Sequence, residues 1–202
     1  MGTRLPFRAL ALTLLLTALT ALAPAHAAAA EILCDPAYQD CRAMLLSRIQ
    51  SETQAIDLAM LFMEDDAMAD AIIARHQAGV RVRILMEPRR NLTTPKNELV
   101  LARLRDAGIP MRAKNGGGML HWKFMIFDAQ NVVEFSAANY SDFYFKPTVP
   151  YANYTDEGIF FTDQASLVDS FRRKFDDTWI DTSAFYDFGN ITTPLARRYP
   201  LY

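Results

Sequence analysis

The sequence is poor in the residues that build metal and redox centres. It has three histidines and two cysteines among 202 residues, and none of them stands in a convincing cluster of metal ligands. A basic excess is also missing, since 21 lysines and arginines face 23 aspartates and glutamates, for a net charge of −2. This balance disfavours a dedicated nucleic-acid-binding protein, which usually carries surplus positive charge.

Long apolar runs are absent beyond the N-terminus. Residues 1–27 contain two arginines, a short apolar run and a small-residue ending, A-H-A, which together are typical of a secretory signal peptide. The run is short for a membrane span, and an uncleaved N-terminal anchor is the alternative. We therefore expect an exported protein, periplasmic or secreted, in which residues 28–202 form one domain.

The two cysteines, Cys34 and Cys41, are separated by six intervening residues in this expected mature chain. An even number of cysteines at short spacing in an exported protein favours a disulfide, here closing a small loop before the first helix. A redox or metal pair is the alternative, and no histidine or further cysteine nearby supports it.

Apolar periodicity alternates between that of strands and that of helices along the chain. Strands are predicted at 55–63, 80–86, 109–113, 119–128 and 131–138, and helices at 42–52, 65–79, 96–107 and 164–179. This order predicts an α/β fold with a mixed β-sheet flanked by helices on both faces. The tail is expected to be irregular from about residue 183.

One predicted strand, MLHWKFMIFD, contains the chemistry. Strand alternation places His121 and Lys123 on one face, opposite Trp122, Phe124 and Ile126. A return strand would bring Asn139 back beside them. A lysine charge, amide donors and an imidazole suit a phosphate group. The other histidines offer less, because His26 leaves with the signal peptide and His76 is interpreted as a surface residue.

At these residues the sequence resembles the phospholipase D superfamily, whose motif is H-x-K-x4-D followed by G-S-x-N. HWKFMIFD, from His121 to Asp128, matches the first half without a gap. S-A-A-N stands in place of the second half, one residue later than the commonest spacing. Ser136 thus replaces the glycine and Ala137 the serine, so a phosphate contact from Ser136 requires a local backbone shift.

The resemblance implies a phospholipase D-like fold and covalent catalysis without a metal or other cofactor. His121 would attack phosphorus to form a phosphohistidine, and Lys123, Asn139 and Ser136 would bind the phosphate oxygens. The strand that follows in this family begins with an acidic residue that orients the histidine. Glu157 is its best match and Asp156 a weaker one. Asp128, as the last motif residue, joins the expected catalytic set.

Members of this family use two histidines, and this chain has one H-x-K motif. Either a symmetric homodimer supplies the second His121 in trans, or the chain is the first half of a longer enzyme. The tail beyond residue 185 has no clear closing element, which keeps the second alternative open.

Three functions remain open from the sequence. A phospholipid phosphodiesterase fits the export signal, the mildly acidic charge and the aromatic run 140–154, which suggests peripheral membrane contact. Hydrolysis and transfer to another alcohol are both compatible with it. A metal-independent endonuclease needs a phosphate-tracking patch, for which the candidates are Arg89, Arg90, Lys96, Arg112 and Lys114. A non-catalytic phosphate-binding module would explain Ala137 and the missing second motif.

Overall fold

The structure, a computed structural model, describes residues 1–2, 31–146 and 156–188. The predicted signal peptide therefore lies outside the described residues, apart from Met1 and Gly2. Residues 147–154 of the predicted aromatic run 140–154 and the end of the tail, 189–202, also lie outside them.

Eight strands form one sheet in the order β1-β7-β6-β5-β2-β3-β4-β8. The strands are β1 Ile32–Cys34, β2 Ala55–Met60, β3 Arg81–Met86, β4 Met111–Lys114, β5 Phe124–Phe127, β6 Val132–Ser136, β7 Ile159–Thr162 and β8 Phe185–Asp187. β2, β3 and β4 run parallel, and every other pair in the sheet is antiparallel. The sheet is thus mixed, as predicted.

Helices cover both faces of this sheet, which confirms the predicted α/β layering. They are α1 Cys41–Ser51, α2 Asp66–Gln77, α3 Pro95–Asp106, α4 Asp142–Phe145 and α5 Ala165–Ile180. On one face, Leu45, Ile72 and Leu104 from α1, α2 and α3 share a core with the central strands. On the other, α5 packs Val168 and Phe175 into a second core. No helix in the described part of the chain is long and apolar enough to cross a membrane.

The predicted disulfide is confirmed. It joins Cys34, the last residue of β1, to Cys41, the first residue of α1, across a Cα–Cα distance of 5.8 Å. Asp40 caps the same helix, because its side chain accepts a hydrogen bond of 2.8 Å from the Ala43 amide. The loop between the cysteines therefore fixes an edge strand to the start of the first helix.

Several short elements differ from the prediction. β5 covers only Phe124–Phe127 of the predicted strand 119–128, so His121 precedes the sheet. The tail was expected to be irregular from about residue 183, but β8 pairs with β4 there, with Tyr186 opposite Ala113. β1, α4 and a 3₁₀ helix, Pro88–Leu92, were not predicted. Elements of three to five residues are too short to show a periodic pattern.

Candidate active site

The sheet topology brings the predicted phosphate-binding residues together at one end of the central strands. Because β5 is antiparallel to both β2 and β6, the start of β5 lies beside the ends of β2 and β6. The start of β7 lies there too, because β7 is antiparallel to β6. His121 and Lys123 precede β5. Ser136 is the last residue of β6, and Asn139 follows it. Glu157 precedes β7. The Ser136 amide also donates to the Lys123 carbonyl at 3.2 Å, which ties two of these segments together.

His121 and Lys123 are in direct contact. The Lys123 ammonium lies 3.0 Å from Nδ1 and 3.2 Å from Nε2 of the His121 ring. The imidazole is exposed, whereas the Lys123 residue is only 4% exposed. Partial burial, and then the charges of Lys123 and Arg90, lower the pKa of His121. The site therefore favours a neutral imidazole, the form that can act as a nucleophile or base.

Glu157 acts on the lysine more than on the histidine. Burial is the main cause that raises the pKa of Glu157; Lys123 opposes this rise and Asp156 adds to it. Burial also lowers the pKa of Lys123, against the stabilising charge of Glu157. In residues 31–146 and 156–188, no hydrogen bond joins Glu157 to His121. The predicted orienting role of Glu157 stays a prediction, and the charges of Glu157 and Lys123 influence the pKa of each other.

Asp128 is not brought together with the other motif residues. It follows β5 at the opposite end from His121, and seven residues of largely extended chain span roughly 20 Å. Its carboxylate pairs with Arg172 of α5 at 2.9 Å. Its amide donates to the Ala55 carbonyl at 3.0 Å. Asp128 therefore anchors the β5–β6 hairpin to α5 and to β2 instead of lying with the catalytic set.

The second half of the motif keeps its amide but not its hydroxyl. Asn139 is half-buried, and its Oδ1 is buried without a hydrogen-bond partner in the described part of the chain. Ser136 donates from its hydroxyl to the Ala138 carbonyl at 3.2 Å, so this hydroxyl already has a local acceptor. Ala137 is exposed. Because Oδ1 is an acceptor, a contact from Asn139 to a phosphate oxygen would have to come from its Nδ2 donors.

A buried pair that the sequence did not reveal supports the Asn139 loop. The Tyr140 hydroxyl donates to Glu134 at 2.8 Å, and both residues are fully buried. Burial raises the pKa of Glu134 to about 8, although the hydrogen bond from Tyr140 acts in the opposite direction. The Tyr140 carbonyl accepts from the amides of Glu64 and Asp65 at 2.8 and 3.2 Å. The loop after β6 is thus fixed to the segment after β2.

A second buried pair, which we name the Glu87–Arg89 clamp, holds the segment that leads into His121. Arg89 donates to the Glu87 carboxylate through Nε at 2.6 Å and Nη2 at 2.7 Å. The Leu120 amide donates to the same carboxylate at 2.9 Å, and Arg89 also donates to the Gly118 carbonyl. Both clamp residues are buried. Their signal in the sequence is a charged E-P-R-R stretch directly after a buried strand.

The predicted phosphate-tracking patch does not form one surface. Arg89 is buried in the clamp, Lys96 pairs with Asp66 at 3.3 Å, and Arg112 pairs with Asp187 at 3.1 Å. Lys114 donates to the Asn115 carbonyl at 2.7 Å. Of the five residues, Arg90 is the one that the structure couples to His121 and Lys123.

A metal centre finds no support at this edge. In the described ranges, no group of three or more His, Cys, Asp or Glu side chains is arranged to hold a metal ion. The polar groups that converge are an imidazole, two cations, an amide and one carboxyl. Such a set can bind a phosphate and present a nucleophile to it.

Comparison with known families gives a match over most of the chain. The family described as "Cardiolipin synthase, PLD-like domain" matches residues 45–179. Proteins named mitochondrial cardiolipin hydrolase are similar in sequence. That of Chlamydomonas reinhardtii is 25% identical over 134 residues, which cover 66% of this chain and 55% of that protein. That of Xenopus tropicalis is 27% identical over 146 residues, which cover 72% and 63%. The chain thus spans less than two thirds of the length of either relative.

Solved structures share the fold. The phospholipase D family member Nuc from Salmonella typhimurium has a TM-score of 0.65 and 21% identity, covering 80% of this chain and 99% of Nuc. NucT from Helicobacter pylori has a TM-score of 0.66 and 19% identity, covering 79% and 99%. At these identities the likeness establishes the α/β architecture and no particular substrate.

Proposed function

Because the chain belongs to the phospholipase D superfamily, through its match to the PLD-like domain family, we propose that it is a phosphodiesterase with His121 as nucleophile. The observation that carries this proposal is the contact between the Lys123 ammonium and Nδ1 of His121, at 3.0 Å. Asn139 lies at the same end of the central strands. A lysine beside an imidazole keeps the ring neutral, and a neutral ring nitrogen has the lone pair needed for attack.

The reaction would proceed in two displacements. First a bond forms between the imidazole nitrogen and phosphorus while the bond to the leaving alcohol breaks, and a protonated second imidazole gives that oxygen its proton. Water then attacks phosphorus, passes a proton to the second imidazole, and the nitrogen–phosphorus bond breaks. Lys123 and Asn139 would bind the non-bridging oxygens, where charge shifts in the transition state. The Lys123 ammonium would leave the ring for a phosphate oxygen when substrate binds.

A homodimer would supply the second imidazole. His76 is the other histidine of the described residues. It lies in the last turn of α2, just before the start of β3, which is at the opposite end of the strands from His121. His121 is exposed, so a partner's copy can approach it across a two-fold axis. We therefore expect the active form to be a symmetric dimer with both His121 rings in one cleft.

A lipid is the favoured substrate. Two apolar side chains next to His121 in the sequence are exposed, namely Met119 at 40% and Trp122 at 44%, and Trp122 packs against Phe171 of α5. Such apolar surface can contact an acyl chain or a membrane. The named activity of the similar cardiolipin hydrolases points the same way. A metal-independent nuclease is the second candidate, favoured by the likeness in fold to Nuc and NucT. The predicted cationic patch does not add to that candidate, because its members engage separate partners.

Export remains part of the proposal. The Cys34–Cys41 disulfide supports an oxidising compartment, such as a periplasm or the extracellular space, because such bonds are rare in a reducing cytosol. Fractionation of expressing cells, with thiol alkylation of the recovered protein, tests it. Recovery of the protein in the cytosol with both thiols free would contradict export.

Turnover in the presence of EDTA tests the chemistry. Purified protein should release the alcohol head group from cardiolipin or phosphatidylcholine in mixed micelles, and His121→Asn should lower kcat about a thousandfold or more. His76→Asn is the matched control and should retain activity. Acid-labile phosphate trapped on a peptide without His121 would exclude the mechanism.

Two further measurements separate the alternatives. Sedimentation should give a dimer, and specific activity should fall on dilution below its dissociation constant, whereas a fully active monomer would contradict the shared site. Chelator-resistant cleavage of plasmid DNA without lipid turnover would favour the nuclease. Absence of both activities in the dimer would favour the non-catalytic module.

A further inference from the structure

Buried and open residues alternate in the loop after β6. Ala138 and Tyr140 are fully buried, whereas Ala137 is exposed and Asn139 is half-buried. The Tyr140 ring stacks on that of Phe145, with 5.8 Å between the ring centres. The Asn139 side chain can donate to a phosphate oxygen only through Nδ2. Its orientation at the site therefore depends on how its two buried neighbours are held.

Glu134 lies on the face of β6 that packs against α1, α2 and α3. Its cross-strand neighbours are Met125 of β5 and Phe161 of β7, and both belong to the apolar core on that face. Glu134 is fully buried there. A carboxyl in such surroundings costs folding free energy that an apolar side chain of similar size does not. Stability alone therefore does not explain a glutamate at this position.

The group that Glu134 contacts belongs to the loop after β6. The Tyr140 hydroxyl donates to the Glu134 carboxyl at 2.8 Å. The Tyr140 carbonyl accepts from the amides of Glu64 and Asp65, and Asp65 is the N-terminal cap of α2. Tyr140 is thus fixed by its side chain to β6 and by its main chain to the start of α2. Asn139 directly precedes it, so the same two contacts limit where the Asn139 amide can lie.

We propose that Glu134 is a positioning residue of the active site, which holds the Tyr140 hydroxyl so that Asn139 presents its Nδ2 donors to the bound phosphate. This inference rests on the proposed phosphodiesterase function and adds to it a buried residue that does not touch the substrate. Glu134→Leu leaves the Tyr140 hydroxyl buried without this acceptor, and an unsatisfied buried donor is costly enough to shift the tyrosine. Asn139 then shifts with it and loses its contact to the phosphate.

A double-mutant cycle tests whether Glu134 acts through Asn139. The assay is hydrolysis of bis(p-nitrophenyl) phosphate by the mature protein at pH 6, where the Glu134 carboxyl, with its pKa raised to about 8, is neutral. Glu134→Leu should lower kcat/KM about tenfold or more, the size expected for one lost hydrogen bond to a charged group. In the Asn139→Ala background, the same substitution should cause no further loss, because the contact that it disturbs is already gone.

Three further variants separate positioning from a general loss of structure. Glu134→Gln keeps an acceptor for the Tyr140 hydroxyl and should restore most of the activity that Glu134→Leu loses. Tyr140→Phe removes the donor of the same contact and should lower kcat/KM in the same way, again only while Asn139 is present. Thr162→Val removes a hydroxyl from a fully buried residue at the opposite end of β7. It is the matched control, and its effect should be the same with and without Asn139→Ala.

Calorimetric titration with inorganic phosphate gives a second readout that needs no turnover. Glu134→Leu should weaken phosphate binding in the wild-type background and not in Asn139→Ala. Equal losses in both backgrounds, or no loss in either, overturn the inference and leave the proposed function standing. A wild type that binds phosphate without hydrolysing the diester contradicts the proposed function, and the titration then still decides the role of Glu134. A wild type that does neither contradicts both.

Discussion

Replacing Glu134 with glutamine should remove a pH-dependent cost to folding. The Glu134 carboxyl is fully buried, and the Tyr140 hydroxyl donates a hydrogen bond of 2.8 Å to it. The Ser136 hydroxyl also acts on this carboxyl and, like Tyr140, lowers its pKa against the larger effect of burial. Burial raises its pKa from 4.5 to about 8. An acid whose pKa is raised by folding contributes its full stability below the unfolded value of 4.5, and this contribution is lost as the pH rises toward 8.

The size of this loss follows from the pKa values. Each pKa unit corresponds to about 1.4 kcal/mol, so raising the pKa of Glu134 from 4.5 to about 8 costs about 5 kcal/mol of unfolding free energy at pH 9 relative to pH 4. At pH 7 about two thirds of that cost is already present. Glutamine has similar shape and accepts the same Tyr140 hydrogen bond, but it does not ionise. The variant should therefore lack this pH dependence.

Urea unfolding at several pH values between 4 and 9 measures the effect. The free energy of the variant relative to the wild type should rise by several kcal/mol across this range, so that Glu134→Gln is the more stable protein at pH 9. Near pH 4 its buried amide donors should make it the less stable by about 1–3 kcal/mol. Glu31→Gln, at an exposed carboxyl, is the control and should follow the wild type. A constant difference between Glu134→Gln and wild type at all pH values would refute the reasoning.

Two other changes test contacts described above. Arg89→Met leaves Glu87 buried without its cation, so it should lower the free energy of urea unfolding by about 3–5 kcal/mol. It should also lower kcat more than it raises KM, because the segment before His121 loses its anchor. A variant as stable and active as the wild type would contradict the clamp. Replacing Cys34 and Cys41 together with serine should cost about 2–3 kcal/mol in thermal unfolding, since a short loop of the unfolded chain is released; coincident melting curves for oxidised wild type and variant would show that the bond adds no stability.

The long elements and the central motif were predictable from sequence because each produces a strong local pattern. β2 is an apolar run interrupted only by Asp57 and is buried throughout, and α5 repeats its apolar residues at helical spacing. The H-x-K-x4-D residues identified the superfamily. The β5–β6 hairpin brings Asn139 back to the end of the strands where His121 lies, as predicted. These signals lie within a few residues of one another along the chain.

The remaining features depend on contacts between distant segments. In the Glu87–Arg89 clamp, Glu87 accepts a hydrogen bond from the amide of Leu120, thirty-three residues away. Neither segment has a sequence pattern that predicts this contact. Asp128 stands in the motif as though it belonged with His121, yet strand geometry carries it to the far end of β5. The same limit applies to Arg90, whose sequence neighbours suggested a surface patch, whereas its charge lowers the pKa of His121 and of Lys123.

The two outermost strands of the sheet restrict how a second copy can approach. β1 and β8 have three residues each, so neither offers a long row of free backbone groups for extending the sheet into another molecule. Lateral joining of two sheets is therefore disfavoured. In the proposed dimer, the loops at the ends of the central strands would form the contact, and self-recognition and substrate recognition would then draw on the same few loops. Changes that tune one would carry over to the other.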